Sequence, residues 1–397
     1  MAKAPKAKTK AVKVNFHEQL ILSKWLWSKF NPNRLEGMKQ QLDYPQFEGI
    51  EHEGDNAGQT KFFSVISNTL FNKQVVDIDV LRRYDLNIVK HWQKITEKRN
   101  EIEGHVLNLK YFQYLSLLFT ELYLDQYFHH QADMLNELNV ELEQYNHDLK
   151  SDAEQFQQYL PEDLNKIGYW NATGSGKTLL MHVNILQYLD YFQKQNGDST
   201  YPDQIILLTP NEGLSEQHLQ ELTDSGFQAT LFDKQKSRNS LYRDEIQIID
   251  MNKLSDTDGD KTVATMSLEG RNLVLIDEGH RGTSSSAGAW MERRDILTKD
   301  GFSFEYSATF GQAVSKADNV YKRFEDAKKQ KAKMLYGMAI NKLTEEQKKN
   351  IQLDELEQQK YRREALREVY AKSILFDYSY KYFYADGYGK EVNILNM

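Results

Sequence analysis

Short apolar runs, each followed by a polar turn, organise the middle of the chain. Ile167-Gly168-Tyr169-Trp170, Ile205-Ile206-Leu207-Leu208, Ile246-Gln247-Ile248-Ile249 and Leu273-Val274-Leu275-Ile276 are close to continuously apolar. Such runs predict strands buried on both faces, as in a parallel sheet. Phe302-Ser303-Phe304-Glu305-Tyr306 places an aromatic ring at every second position and predicts another strand. Leu179 to Leu186 reads as a buried helix, and the turn at Pro210 leads into a helix start at Asn211 to Gln217. Strands alternating with helices predict an α/β fold with a mainly parallel sheet.

The flanks differ. Phe16 to Trp27 reads as an amphipathic helix, and Asp77 to Lys98 as mixed strand and helix. Lys110 to Tyr127 predicts a helix, followed by a Glu/Gln/Asn-rich helical stretch from Gln131 to Leu160. Tyr321 to Tyr370 is rich in lysine and glutamate and predicts a solvated helix or a coiled-coil-like hairpin. Ser373 to Tyr384 is an aromatic-rich tail. These shifts divide the chain into a disordered basic arm (1–14), an N-terminal accessory domain (15–108), an α/β domain (109–320, with a helical insertion at about 128–162) and a charged helical segment (321–397). The arm carries Lys3, Lys6, Lys8, Lys10 and Lys13, which suit contact with nucleic acid or simple solubilisation. The accessory region suits docking or DNA-end recognition. Asp77, Asp79 and Lys90 do not make a nuclease there.

Composition narrows the class. Hydrophobic residues are 40% and charged residues 27%, as in a soluble globular chain. No apolar run approaches the roughly 18 residues of a membrane span. With no cysteine, disulfides and cysteine-ligated zinc are excluded, which fits a reducing cytoplasm. A net charge of −8 means that any nucleic-acid contact needs a local basic path.

Ala172-Thr173-Gly174-Ser175-Gly176-Lys177-Thr178 carries the chemistry. Glycines let successive backbone N–H groups converge on phosphate oxygens, and the following helix N-terminus favours the anion. Lys177 reaches the outer phosphates of a nucleoside triphosphate and the Thr178 hydroxyl ligates Mg²⁺. Asn171 stands where the first glycine of G-x-x-x-x-G-K-[ST] is expected. Asp277-Glu278-Gly279-His280 closes the Leu273 run. Carboxylates at that end of a parallel strand face the ligand crevice. There Asp277 can hold the metal and Glu278 can orient and deprotonate a water. Ser307-Ala308-Thr309 follows the last predicted strand.

A-T-G-S-G-K-T, L-T-P-N-E-G-L-S-E-Q, D-E-G-H and S-A-T, in this order, resemble motifs I, Ia, II and III of superfamily 2 DEAD/DEAH-type helicases. They cover roughly residues 165–315. Around them, D-E-G-H-R-G and S-A-T-F-G resemble the restriction-subunit branch, the motor subunits of type III restriction enzymes. The resemblance implies a RecA-like P-loop domain that binds ATP and Mg²⁺. Thr173, Gly174, Ser175, Gly176, Lys177 and Thr178 would hold the triphosphate, with Thr178 and Asp277 on the metal. Glu278 would be the catalytic base. His280 would contact the γ-phosphate or the coupling segment Ser307-Ala308-Thr309. Thr209, Pro210, Gly213 and Gln217 would lie near the DNA backbone. Lys110-Tyr111-Phe112-Gln113 resembles an adenine-reading motif in which Gln113 bonds the base edge; an exposed helical glutamine is the alternative. Double-stranded DNA is the implied partner, with methyltransferase and nuclease subunits beside it.

Motors of this group use two RecA-like domains, and the sequence shows motifs for the first. The chain therefore reads as ending at the connection into a second motor domain, carried by another polypeptide. Two functions remain open: the ATP-hydrolysing motor domain of a helicase or translocase in a restriction-type defence system, or a nucleotide-binding interaction or regulatory module with negligible turnover.

Overall fold

The computed structural model describes residues 15–70, 76–149, 155–233, 244–255, 263–278, 293–317, 320–363 and 365–389. The arm 1–14 and His280 lie outside the described residues. Nine strands are present among the described residues: β1 (Lys166–Asn171), β2 (Ile205–Thr209), β3 (Ala229–Leu231), β4 (Ile246–Asp250), β5 (Leu254–Ser255), β6 (Val263–Ala264), β7 (Leu273–Asp277), β8 (Phe302–Ser307) and β9 (Ile374–Tyr378). Seven form one parallel sheet in the order β3-β4-β2-β7-β8-β1-β9. β5 and β6 make a separate parallel pair. The architecture is α/β, as the alternating runs predict.

The central strands are apolar because both faces are covered. Leu273, Val274, Leu275 and Ile276 are all fully buried, which fits a strand with helices on either side. The alternation in β8 separates two buried environments. Phe302, Phe304 and Tyr306 join the aromatic core, with Tyr306 stacked on Tyr169 at 4.9 Å. Glu305 belongs to a buried polar network: Tyr370 donates to it at 2.7 Å and Arg294 lies 3.6 Å away. Burial pushes the Glu305 carboxyl up although Arg294 opposes the shift.

Among the described residues, eight α-helices precede β3: α1 (Ile21–Trp27), α2 (Leu35–Leu42), α3 (Lys61–Val65), α4 (Ile78–Glu103), α5 (Tyr111–His129), α6 (Gln131–His147), α7 (Lys177–Asn196) and α8 (Glu212–Asp224). The mixed strand and helix expected from Asp77 to Lys98 is instead the single helix α4. The Asp77 side chain caps the N–H groups of Asp79 and Val80, and Gly104 ends the helix at φ 68°. Leu81, Tyr84, Ile88, Trp92 and Ile95 recur on its buried face. Packing of that stripe overrides the strand preference of the β-branched residues. α5 is buried nearly all round, as its uniform hydrophobicity requires.

The N-terminal region does not keep a core of its own. Ile21, Leu26 and Phe30 belong to the same buried cluster as Tyr169, Phe304 and Phe376. Trp27 packs edge-on to Phe119 at 4.7 Å, and Phe119 in turn meets Phe376. The expected helical character of 321–397 is also incomplete. Ile374–Tyr378 is β9, which pairs with β1 and covers its outer edge. Asp386 then fixes the following turn: Tyr111 and Tyr378 both donate to it at 2.6 Å, and Lys39 pairs with its other oxygen.

Glu121 joins three helices inside this core. It accepts from Asn87 of α4 at 2.8 Å, and from Gln187 and Tyr191 of α7 at 2.7 and 2.8 Å. Complete burial outweighs these donors and raises its pKa from 4.5 to about 7. A raised carboxyl stabilises the fold fully below its unfolded pKa, and that contribution is lost as the pH rises through the folded value. Denaturant midpoints measured from pH 4.5 to 8 should therefore fall less steeply for Glu121→Gln than for the wild type. Equal slopes would show that Glu121 stays ionised in the fold.

Candidate active site

The phosphate loop lies between β1 and α7, at the C-terminal edge of the sheet. Gly174 and Gly176 take φ values of 88° and 86°, the left-handed region that glycine enters without steric cost. Gly176 is also crowded: a Cβ there would come 2.4 Å from Gln113 Nε2. The close neighbour is a brace. Gln113 Nε2 donates to the Ser175 carbonyl at 3.0 Å, while its Oε1 accepts from the Lys110 N–H at 3.0 Å. Gln113 is thus buried beneath the loop, bracing it from α5 and not standing as an exposed helical residue. Ser175 turns inward, its hydroxyl donating to the Ala172 carbonyl at 2.8 Å. Thr173 and Gly174 are exposed, and Lys177 and Thr178 open α7.

The ends of β7 and β8 complete the site. Lys177 Nζ lies 2.6 Å from Glu278 Oε1. The Ala308 N–H donates to the same oxygen at 3.0 Å, and the Ser307 hydroxyl donates to Oε2 at 2.8 Å. Ser307 Oγ in turn accepts from the Thr309 N–H at 2.9 Å. Trp170 donates to the Ala308 carbonyl at 3.2 Å. Three separate sequence motifs therefore meet on one carboxylate. Burial pushes Glu278 up, but the Lys177 ammonium and the Ser307 and Ala308 donors outweigh it and hold the carboxyl below its usual value. Glu278 has φ 51°, a conformation that strains a side-chain-bearing residue and that clusters at functional sites.

Asp277 points elsewhere. Its Oδ2 is 3.0 Å from His218 Nε2 on α8. His218 is a near neighbour of Gln217 in sequence and carried no signal of its own. The surface expected to meet DNA is only partly presented. Gly213 and Gln217 are exposed and Pro210 half-exposed. Thr209 is fully buried, and its hydroxyl is spent on Ser215 Oγ at 2.5 Å. Its side chain cannot reach a strand laid on that surface. Sequence reasoning also missed Phe383, which sits over the loop 3.4 Å from the Cβ position of Gly174, and the stack of Tyr378 on Phe112 at 3.8 Å.

The residues fit a magnesium nucleotide. Asn171 is fully buried with neither amide atom bonded, directly before the loop. Thr178 and Asp277 offer hard oxygen donors. Among the described residues no group of three or more His, Cys, Asp or Glu is placed to hold a metal by itself. Mg²⁺ in such sites relies on one or two carboxylates plus substrate phosphates, and Asp277 would supply the carboxylate.

Residues 125–312 match the family model for the type III restriction enzyme res subunit, a helicase-family domain. The matched segment contains the loop, Asp277, Glu278 and Ser307 to Thr309. In this part the chain is similar to helicase-like, ATP-dependent motor domains. No curated protein matches the chain. No helix among the described residues is long and apolar enough to cross a membrane.

Lys177→Ala removes the counter-ion from a buried carboxylate. Breaking such a pair should cost on the order of 3 kcal/mol of stability, and adding Glu278→Gln should recover most of it. Because the Glu278 pKa is depressed, the pair acts above the ordinary value of 4.5 and is lost as the pH falls through the lower folded value. The Lys177→Ala penalty, read from urea midpoints, should shrink below that pH. A penalty that stays constant however far below 4.5 the pH is taken would deny the pairing.

Proposed function

We propose that this chain carries the ATP-binding first motor domain of a DNA helicase or translocase from a restriction-type defence system. The observation that carries the reading is the convergence on Glu278. The phosphate-loop lysine, the post-strand carboxylate and the Ser307-Ala308-Thr309 segment meet within hydrogen-bond distance. A lysine that moves from Glu278 to a triphosphate changes what holds Glu278 and the segment beside it. That is the minimum linkage a motor needs.

The residues have distinct tasks in this reading. The N–H groups of Thr173 to Thr178 and the dipole of α7 bind and orient the phosphates. Mg²⁺, when bound, neutralises charge on the β- and γ-oxygens. Thr178 and Asp277 would hold it. Lys177, released from Glu278, places its ammonium on the outer phosphates. Glu278 Oε1, freed of that ammonium, accepts the proton of the water it aligns. Ser307 and Ala308 keep the carboxylate aimed as Lys177 leaves. His280 is proposed to sense the same event. Gly213 and Gln217, at the start of α8, are proposed to meet the backbone of duplex DNA. A second motor domain, on this polypeptide or on another, would supply the arginine that completes the transition state, an effect worth roughly 10³–10⁵ in rate in related phosphoryl-transfer enzymes. Methyltransferase and nuclease subunits are the remaining proposed partners, in the cytoplasm.

The test is nucleotide binding and hydrolysis with and without duplex DNA. Glu278→Gln should retain ATP binding and lower turnover by about 10²–10⁴-fold. Lys177→Ala should weaken binding of ATP more than that of adenosine. DNA should raise the wild-type turnover. ATP binding and hydrolysis unchanged in Lys177→Ala would remove the site from this loop. Tight binding with no turnover, with DNA or with a second motor subunit, would make the chain a nucleotide-gated module.

A further inference from the structure

Asp277 and His218 come from different motifs, and their contact has a second tier. His218 is buried on the second turn of α8, with Nε2 3.0 Å from Asp277 Oδ2. Its other ring nitrogen, Nδ1, has no partner. His182, fully buried on α7, shows the reverse pattern. Its Nδ1 lies 2.8 Å from Ser225 Oγ, and its Nε2 has no partner. Burial drives the His182 pKa down to about 3, and the charge of nearby His218 adds to this, so His182 is neutral. A neutral imidazole has one donor and one acceptor nitrogen. With Ser225 donating to Nδ1, His182 keeps its proton on Nε2.

The mechanical setting of α8 gives this a use. The helix starts at Asn211, whose side chain caps the Leu214 N–H at 3.0 Å. Thr209 at the end of β2 grips Ser215. At its far end Ser225 is tied to His182 of α7, the helix that carries Lys177 and Thr178. α8 therefore spans from the surface at Gly213 and Gln217 to the carboxylate of Asp277, with a lateral tie to the phosphate-loop helix.

We propose that His218 is a positioning residue that sets the rotamer of Asp277 and transmits displacement of α8 to it. Outer partners of this kind orient metal-ligating groups, and their loss typically costs 10–100-fold in metal affinity. The inference rests on the reading of Asp277 as the Mg²⁺ ligand of a nucleotide site.

The experiment measures the Kd of a fluorescent ADP analogue for the full chain, in Mg²⁺ and in EDTA. Wild-type protein should bind more tightly with Mg²⁺. His218→Asn, whose amide is too short to reach Asp277, should keep its affinity in EDTA and lose on the order of tenfold in the Mg²⁺-dependent gain. His218→Gln, whose amide nitrogen reaches the Nε2 position, should restore that gain. Affinity in EDTA doubles as the check that each variant is folded. If the asparagine and glutamine variants show the wild-type gain alike, His218 does not position Asp277, and the nucleotide site stands without it. If wild-type protein binds no nucleotide, or binds it with no response to Mg²⁺, the site reading itself falls and takes this inference with it. An His218→Asn variant that also loses binding in EDTA, while the glutamine variant does not recover the gain, would mark His218 as structural only.

Discussion

The structure turns on the buried carboxylate of Glu278. It is held by the ammonium of the phosphate loop and by a hydroxyl and a main-chain N–H of the segment that ends β8. A carboxylate so placed cannot lose one donor without redistributing the others, because an unpaired buried charge is costly. The loop after β1 and the segment after β8 are therefore energetically linked before any ligand arrives. β1 and β8 are neighbours in the sheet, and β7 is the next strand along. The sheet order brings these three strand ends side by side. The polar contacts between them set how far each end can move alone.

The brace beneath the loop comes from farther away. Gln113 belongs to α5, and α5 is buried between the N-terminal helices and the sheet. Gly176 has room for no side chain because Gln113 occupies that space. The loop conformation thus depends on the seating of α5, which in turn depends on Trp27, Phe30 and Phe376 packed about Phe119. What looks like an accessory region in the sequence is part of the support for the phosphate loop.

The legible parts of this chain were those with short-range physics. Apolar runs marked β1, β2, β4 and β7, and the aromatic alternation marked β8. The loop and the Asp277-Glu278 pair were readable because their residue types are forced by phosphate and metal chemistry. Three features were not readable. β9 is a five-residue stretch, Ile374 to Tyr378, interrupted by Asp377 and set in an aromatic-rich tail, and nothing local says that it pairs with β1. The single helix α4 was hidden by β-branched residues whose burial only the tertiary fold supplies. His218 was invisible because its role lies in a contact with Asp277, and neither sequence spacing nor residue type encodes that distance. Thr209 was misjudged for the same reason, since its position in a motif says nothing of which way its hydroxyl turns.

The pairing of β9 with β1 has a consequence for how this molecule is made. β1 starts at Lys166, and its outer neighbour starts at Ile374. Every other strand among the described residues lies between them in sequence, so the ends of a long loop must be joined to finish the sheet. A chain emerging from the ribosome N-terminus first displays β1, the phosphate loop and α7 while one edge of β1 is still bare. Contacts of such long sequence separation form late. The nucleotide site should thus be among the last parts of this protein to mature. Until β9 arrives, the open edge of β1 is the surface most exposed to wrong pairing.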